Sequence, residues 1–136
     1  DMKPKIIVAV SPTGIIGING GIPWKKSADM KRFKAVTMGG VLIMGRKTFD
    51  SMGRRKLPGR QTIVVSRTVQ EGVDTAHSIE QAVAMAEADK PIWIIGGSDI
   101  YEMGTPLVDE VDLTVVTDFQ MPAGVNEVVN YVPFMQ

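Results

Sequence analysis

The sequence predicts an α/β fold in which a mainly parallel central sheet is flanked by helices. Short apolar runs rich in β-branched residues alternate with helix signals along the chain. The length of 136 residues is enough for one domain with its own core, and 44% of the residues are hydrophobic against 22% charged. We therefore expect a single globular domain over residues 1–136.

Five apolar runs of about four or five residues predict the strands, because such runs are typical of strands buried on both faces. They occupy residues 6–10, 41–44, 62–65, 92–95 and 113–116. Helical connections between them favour parallel pairing, since parallel neighbours need a crossover.

Helix signals lie between these strands. Ser27 can cap a helix that Gly39 and Gly40 would end, and Ser78 with Gln81 forms the capping-box pattern of another helix. The predicted helices cover residues 27–38, 46–52, 78–88 and 98–103. The stretch 11–23 carries four glycines and predicts a long functional loop.

The residue types exclude several kinds of site. The sequence has no cysteine, which rules out disulfides and thiolate metal sites, and its single histidine, His77, argues against a zinc site or a histidine-based triad. No apolar run approaches the ~20 residues of a membrane span, and no signal peptide is visible. We expect no metal, no nucleic-acid or membrane partner, and a cytoplasmic location.

Charge is distributed unevenly along the chain. The formal net charge is zero, from 15 basic and 15 acidic residues. Residues 24–67 hold twelve lysines and arginines against two acids, so this basic segment carries +10 and the remainder −10. Such a segment inside a neutral chain indicates an anionic ligand. For the lysines at 25–34 alone, a solvated helix face explains the charge equally well.

Three predicted strand ends carry groups that suit phosphate. Gly45 ends one strand, and residues 46–48 then begin a helix, where exposed amides and the helix dipole favour an anion. Residues 66–67 place a hydroxyl and a guanidinium after the next strand, and residues 96–98 begin another helix. A G-x-G-x-x-G fingerprint is absent, and the nearest Walker A pattern has Arg where Lys is needed. Together the three ends predict a nucleotide across the carboxyl edge of the sheet.

Asp29 lies one helical repeat before Phe33, on the apolar side of the predicted helix. It is either a first-turn acid favoured by the helix dipole or a partly buried acid, with a pKa raised by desolvation, that binds a cationic or amidine-like ring. Arg60 follows a turn and either binds a carboxylate or lies on the surface. His77, next to a helix cap, is read as a surface residue.

Taken in chain order, these motifs closely resemble the dihydrofolate reductase family. The resemblance runs from residue 6 to about residue 116. It rests on GIIGINGGIPW at 14–24, ADMKRF at 28–33, IMGRKTF at 43–49, LPGR at 57–60, IVVSR at 63–67 and IIGG at 94–97. It implies the fold of that family and the reduction of 7,8-dihydrofolate to tetrahydrofolate by hydride transfer from NADPH.

The resemblance also implies the residues of the site, and it implies a cis peptide bond between the glycines at 96 and 97. Asp29 would be the pterin-binding acid, and Trp24, Thr114 and Tyr101 would complete the catalytic set. Ile7, Val8, Met30, Phe33, Met52, Leu57, Arg60 and Ile95 would bind the substrate, with Arg60 on its glutamate carboxylate. Ala9, Ile16, Gly17, Gly20, Gly21, Ile22, Gly45, Arg46, Lys47, Thr48, Val65, Ser66, Arg67, His77, Gly96, Gly97, Ser98, Asp99 and Ile100 would bind NADPH. Charge-assisted donors at 46, 66 and 67 would favour NADPH over NADH.

The chain departs from the family pattern near its end. The family ordinarily continues into a long loop and an antiparallel hairpin, whereas about twenty residues follow residue 116 here. We therefore expect a reduced or missing C-terminal hairpin and a less restrained 14–24 loop. The exposed sheet edge then leaves either a monomer or a homodimer paired through that edge.

Two other functions stay open at this point. Riboflavin-pathway pyrimidine reductases share the fold and the Val-Ser-Arg and Gly-Gly elements, but they do not need Ile-Pro-Trp followed by an acid at 29. The chain could also bind folate and NADPH, or antifolates, without useful turnover as part of an assembly. Loss of NADPH absorbance on adding dihydrofolate separates the enzyme from the binding module.

Overall fold

The computed structural model describes residues 3–10, 15–18, 27–115 and 129–131. Its strands are β1 (Lys5–Val10), β2 (Ile15–Ile18), β3 (Val41–Gly45), β4 (Gln61–Val65), β5 (Asp74–Ala76), β6 (Ile92–Ile94), β7 (Val111–Val115) and β8 (Val129–Tyr131). Six of them form one sheet in the order β5-β4-β3-β6-β1-β7, and every neighbouring pair is parallel. The predicted α/β fold with a parallel sheet is confirmed.

Helices cover both faces of this sheet. They are α1 (Ser27–Thr37), α2 (Arg46–Ser51), α3 (Ile79–Met85) and α4 (Ser98–Gly104), with a 3₁₀ turn at Thr105–Leu107. On one face, Phe33 and Val36 of α1 and Phe49 of α2 belong to a cluster with Leu42 and Trp93. On the other face, residues of α3 and α4 pack against alternate residues of β1, β3, β4 and β6. Burial on both faces explains the continuous apolar runs of these strands.

Three short strands have no clear sequence signal. β2 lies inside the stretch predicted as a loop, and it pairs antiparallel with β8 across a register shift between Ile15 and Gly17. β5 has the sequence Asp-Thr-Ala, and it forms because its backbone continues the ladder of β4 in parallel. Backbone pairing, which side-chain hydropathy does not reveal, therefore decides these strands.

Helix α3 ends at Met85, three residues before the predicted end near residue 88. The cause is the side chain of Gln61, which lies at the start of β4. Its amide nitrogen donates to the Met85 carbonyl at 3.1 Å, and its amide oxygen accepts from the Glu87 amide at 2.8 Å. These bonds replace the next turn of the helix. The predicted helix end is therefore wrong because a side chain from another element binds these backbone groups.

Strand β7 is not buried on both faces, contrary to the prediction for 113–116. It begins at Val111, and among the described strands β1 alone pairs with it in the six-stranded sheet. Val111, Leu113 and Val115 are 42%, 39% and 45% exposed. An apolar run therefore occurs here on an edge strand, where one row of side chains faces outward.

Candidate functional site

The carboxyl ends of β3 and β6 meet at one edge of the sheet. The Gly45 amide donates to the Gly96 carbonyl at 2.8 Å, and the Ile95 amide donates to the Ile43 carbonyl at 2.9 Å. A Cβ on Gly45 would lie 3.0 Å from Ile100 Cγ1, so the turn before α2 packs closely on α4. The peptide between Gly96 and Gly97 is cis, as expected.

Thr48 connects these two turns further. A Cβ on Gly97 would lie 3.6 Å from its hydroxyl oxygen, so the Thr48 side chain faces the Gly96–Gly97 segment. Arg46 and Lys47 are exposed in the same first turn of α2. Two of the three predicted phosphate-binding turns are thus in contact.

The third turn begins at Ser66, directly after β4. The Ser66 amide donates to the Ala76 carbonyl at 2.9 Å, and His77 Nδ1 lies 3.0 Å from the Ser66 carbonyl. Because a carbonyl only accepts, this contact requires the tautomer with the proton on Nδ1. His77 therefore has a partner that its sequence context did not indicate, and it lies beside Ser66.

A chain of polar side chains joins the first and third turns. Asp50 accepts a hydrogen bond from Arg46 Nη1 at 2.6 Å and a second from Arg54 Nη1. Arg54 Nη2 donates to Gln70 Oε1 at 3.0 Å, and Gln70 Nε2 donates to Ser66 Oγ at 3.2 Å. Arg46, Asp50 and Arg54 are spaced four residues apart, which predicts ion pairs on a helix. No such sequence signal marks Gln70.

Arg60 is fixed at the carboxyl end of α1. Its Nε donates to the Pro58 carbonyl at 3.1 Å, and its Nη1 donates to Thr37 Oγ1 at 3.2 Å. Thr37 is fully buried and donates in turn to the Phe33 carbonyl at 2.7 Å. Partial burial lowers the pKa of the Arg60 guanidinium, but an arginine keeps its charge in proteins. The bonds to Pro58 and Thr37 orient the planar guanidinium of Arg60, and its Nη2 takes part in neither of them.

Helix α1 is tied to β7 by an ion pair. Arg32 Nη2 donates to Asp112 Oδ2 at 2.9 Å. In the register of β1 with β7, Ile7 is opposite Asp112 and Ala9 is opposite Thr114, so Thr114 shares the face of Asp112. Asp29 lies in the first turn of α1, three residues before Arg32; the side chains described in α1 begin at Met30.

Tyr101 is buried on the opposite face of the sheet. Its hydroxyl donates to the Ile7 carbonyl at 3.0 Å, and a Cβ on Gly96 would lie 3.2 Å from the same oxygen. Burial raises the pKa of the Tyr101 hydroxyl well above its usual value near 10. The side chain therefore stays neutral and links β1 to the glycine turn after β6.

The sequence matches the family model described as dihydrofolate reductase over residues 4–127. It is 41% identical over 119 residues to the dihydrofolate reductase of Mycobacterium leprae, covering 84% of this chain and 72% of that protein. It is 42% identical over 118 residues to dihydrofolate reductase type 3 of Salmonella typhimurium, covering 85% and 72%. The chain belongs to the dihydrofolate reductase family.

A solved structure agrees with this assignment. Dihydrofolate reductase from Enterococcus faecalis, complexed with NADP(H) and RAB-propyl, superposes with a TM-score of 0.81 and is 32% identical, covering 96% of this chain and 77% of that one. The expected family, its fold and its NADPH-dependent reduction of dihydrofolate are thereby confirmed. These matches decide between a dihydrofolate reductase and the riboflavin-pathway alternative.

The residues expected to form the apolar substrate pocket of a dihydrofolate reductase are mostly together. Phe33, Met52, Leu57 and Ile95 are half-buried and pack against the cluster on the α1 face. Met30 differs, because its side chain is 62% exposed. The helix therefore presents Phe33, and not Met30, to the packed cluster in this structure.

The remaining expected residues divide into three groups. Val8 and Ala9 of β1, Val65 of β4, and Ser98, Asp99 and Ile100 of α4 lie at or next to the carboxyl edge. Ile16 and Gly17 lie in β2, of which only the backbone is described. Gly20, Gly21, Ile22 and Trp24 lie outside the described residues.

The opposite edge of the sheet has a different character. A cavity of about 320 Å³ there is lined by Lys5, Trp93, Glu110, Val111 and Asp112. Lys5 Nζ lies 3.1 Å from a Glu110 carboxylate oxygen and 5.6 Å from the centre of the Trp93 ring. No expected site residue of a dihydrofolate reductase lines this cavity.

Within residues 3–10, 15–18, 27–115 and 129–131, no group of three acidic or histidine side chains could hold a metal ion. No helix in this part of the chain is long and apolar enough to cross a membrane.

Proposed function

We propose that this chain reduces dihydrofolate with NADPH lying across the carboxyl edge of the sheet and with Asp29 as the pterin-binding acid. The convergence of the three predicted phosphate-binding turns at that edge supports the proposal most strongly. Gly45 contacts Gly96, and Ser66 is linked through side chains to Arg46. The same edge is where parallel α/β sheets bind their ligands.

The cofactor phosphates are assigned to two segments. Arg46, Lys47 and Thr48 bind cofactor phosphate at the start of α2. Ser66 and Arg67, together with Arg46, bind the 2′-phosphate, and His77 lies beside the adenine. The exposure of Arg46, Lys47 and Arg67 supports this assignment, and so does the Thr48 hydroxyl, which faces Gly97. Bound NADPH supplies the hydride, and the chain supplies position and charge.

The pterin is assigned to the face between α1 and β7. Asp29 accepts hydrogen bonds from ring N3 and the 2-amino group, and Thr114 supports the carboxylate. The bond between Arg32 and Asp112 supports this arrangement, because it holds α1 against β7 one turn from position 29 and two residues from Thr114. Ile7 and Ile95 offer backbone carbonyls; the Ile7 oxygen already accepts from Tyr101 and has a second lone pair.

The glutamate tail of the substrate is assigned to Arg60. Its guanidinium is oriented by the Pro58 carbonyl and the Thr37 hydroxyl, which leaves the Nη2 edge for an α-carboxylate. The reaction then moves a hydride to C6 of the pterin, and a proton from water reaches N5. Asp29 raises the basicity of the ring without touching N5.

Asp29→Asn tests the assignment of the acid. We expect turnover at about pH 7 to fall by roughly 10² or more, because the neutral amide cannot favour the protonated pterin. Turnover should recover partly when the substrate is protonated beforehand at lower pH. Loss of NADPH absorbance on adding dihydrofolate measures both rates, and the exposed residue Asp109, changed to Asn, is the matched control. A rate unchanged at about pH 7 would contradict the assignment, and binding without oxidation by the unaltered chain would favour the binding module.

The assembly state remains a choice between a monomer and a homodimer paired through β7. The position of β7 at the end of the described six-stranded sheet supports pairing, because the backbone of an edge strand is a template for a further strand. Light scattering over a concentration series distinguishes the two states. We further propose one domain over residues 1–136, antifolate binding in the pterin pocket, and a cytoplasmic location.

A further inference from the structure

Asp50, Arg54 and Gln70 are the polar residues that connect the two phosphate-binding segments. None of the three belongs to the expected site. Their bonds run without a gap from Arg46 at the start of α2 to Ser66 at the end of β4. The Arg54 guanidinium carbon also lies 5.0 Å from the ring centre of the buried Phe49, which is a cation–π contact.

Gln70 is the buried centre of this connection, with 8% of its surface exposed. Its backbone amide donates to Thr75 Oγ1 at 2.9 Å, which anchors it to β5. Its side-chain nitrogen lies 3.2 Å from Ser66 Oγ, 3.1 Å from Thr68 Oγ1 and 3.1 Å from the Thr68 carbonyl. One amide therefore holds the whole turn from Ser66 to Thr68.

The orientation of the Gln70 amide follows from its partners. An arginine can only donate, so the side-chain oxygen must face Arg54, and the nitrogen must face Ser66 and Thr68. Ser66 Oγ accepts from this nitrogen and also from the Thr68 amide at 3.3 Å. Both acceptor positions of the hydroxyl are then used, so Ser66 is the donor in its 3.5 Å contact with Thr68 Oγ1, and a bound phosphate oxygen would compete for that same proton.

A hydroxyl preset as a donor suits a phosphate, because phosphate oxygens accept at neutral pH. At the other end of the connection, Asp50 accepts a hydrogen bond from Arg46 Nη1. This bond orients the Arg46 guanidinium, which is the second group assigned to this phosphate. We propose that Gln70, with Arg54 and Asp50, positions Ser66 as a hydrogen-bond donor to the 2′-phosphate and so sets the preference for NADPH over NADH. The inference rests on the proposed assignment of that phosphate to Ser66.

Gln70→Glu tests the proposal with almost no change in shape. The new carboxylate still accepts from Arg54, but its second oxygen accepts where the amide donated, so it draws the Ser66 proton away from the cofactor. We expect the Kd of NADP⁺, measured by calorimetry, to rise about tenfold and that of NAD⁺ to change less than about twofold. The KM for dihydrofolate should stay unchanged. Each tenfold change corresponds to about 1.4 kcal/mol.

Gln61→Glu is the matched control. Gln61 also holds a loop through a side-chain amide, with bonds to Met85 and Glu87, but it lies at the start of β4, away from the carboxyl edge. This variant should lose stability and keep the ratio of the two dissociation constants. If Gln70→Glu does not fold, Gln70→Met replaces it, with a smaller shift of the ratio in the same direction.

Ser66→Ala separates the two levels of the proposal. A changed ratio in Ser66→Ala with an unchanged ratio in folded Gln70 variants would overturn the inference and leave the phosphate assignment intact. Unchanged ratios in both would overturn the assignment itself. If Gln70 acts through Ser66, adding Gln70→Glu to Ser66→Ala should weaken NADP⁺ binding much less than it does in the unaltered chain.

Discussion

Single side chains in this protein hold the candidate site mainly through backbone groups. Arg60 binds the Pro58 carbonyl, His77 binds the Ser66 carbonyl, and Tyr101 binds the Ile7 carbonyl. Such bonds fix loops and strand ends at particular distances from the sheet. They are invisible in the sequence, because the acceptor could be the backbone carbonyl of any residue.

The Tyr101 hydroxyl provides a residue-scale prediction on stability. Tyr101→Phe removes its bond to the Ile7 carbonyl, so the free energy of unfolding at about pH 7 should fall by about 1 kcal/mol. As the pH rises into the alkaline range, the unaltered chain should lose more stability than the Tyr101→Phe variant. Burial raises the pKa of Tyr101, so above about pH 10 the unfolded chain releases a proton that the folded chain keeps.

The folded state then binds more protons than the unfolded state, and the free energy of unfolding falls as pH rises. Phenylalanine has no proton to release. The variant should therefore lose less stability than the unaltered chain between about pH 9 and about pH 11, as measured by urea unfolding at each pH. Parallel stability curves would show that Tyr101 is not buried with a raised pKa.

The candidate site separates residues that a motif marks from residues that only packing reveals. The sequence marks Asp29, Arg60 and the segment 45–48 as candidates, because each departs from what its helix, turn or strand end needs locally. Gln70 could not, since a glutamine in a polar loop is ordinary and its burial depends on Arg54, sixteen residues away in sequence. The partner of His77 was missed for the same reason.

At the scale of elements, the joint between α1 and β3 depends on two glycines with different tasks. Gly39 has φ of +82°, and a Cβ added there would meet nothing within 4 Å, whereas a Cβ on Gly40 would lie 2.8 Å from the Pro91 carbonyl. That carbonyl accepts from the Val41 amide at 2.8 Å, so it cannot retreat without losing a bond of the sheet.

Asparagine substitutions should separate these tasks, because asparagine tolerates a left-handed backbone but brings a Cβ. We expect Gly39→Asn to change the free energy of unfolding by less than about 1 kcal/mol. Gly40→Asn should lower it by about 1–3 kcal/mol through overpacking. Urea unfolding of both variants measures the difference, and equal losses would contradict the assigned tasks.

Elements with strong hydropathy patterns could be predicted, and those that depend on pairing could not. The five predicted strands all exist: the apolar runs of β1, β3, β4 and β6 are buried in the sheet, and the run of β7 lies on an edge strand. β5 and β2 exist because a neighbouring backbone accepts them. The end of α3 depends on Gln61, which lies on another element.

At the scale of the whole molecule, the parallel sheet explains why the site residues are far apart in sequence. Parallel strands all end at one edge, so the turns after β3, β4 and β6 gather there although the ends of β3 and β6 are 49 positions apart in sequence. The alternation of strands and helices predicts this gathering. It does not predict the order β5-β4-β3-β6-β1-β7, which sets which turns touch.

The same gathering brings part of the basic segment 24–67 to the site, although the net charge of the chain is zero. Raising KCl from about 0.1 M to about 1 M shortens the Debye length from about 10 Å to about 3 Å. We therefore expect kcat/KM for NADPH to fall several-fold over this range. The fall for NADH should be smaller, because NADH lacks the 2′-phosphate that Ser66 and Arg67 are proposed to bind.

Initial rates with each cofactor at a fixed saturating concentration of dihydrofolate measure this difference directly. The turnover number at saturating NADPH should change little, because screening acts on association and not on a proton or hydride held inside the site. Equal salt dependence for the two cofactors would mean that the positive segment attracts the common pyrophosphate only. In that case the charge imbalance of the chain would serve binding in general, and the choice between NADPH and NADH would rest on hydrogen-bond geometry at Ser66 alone.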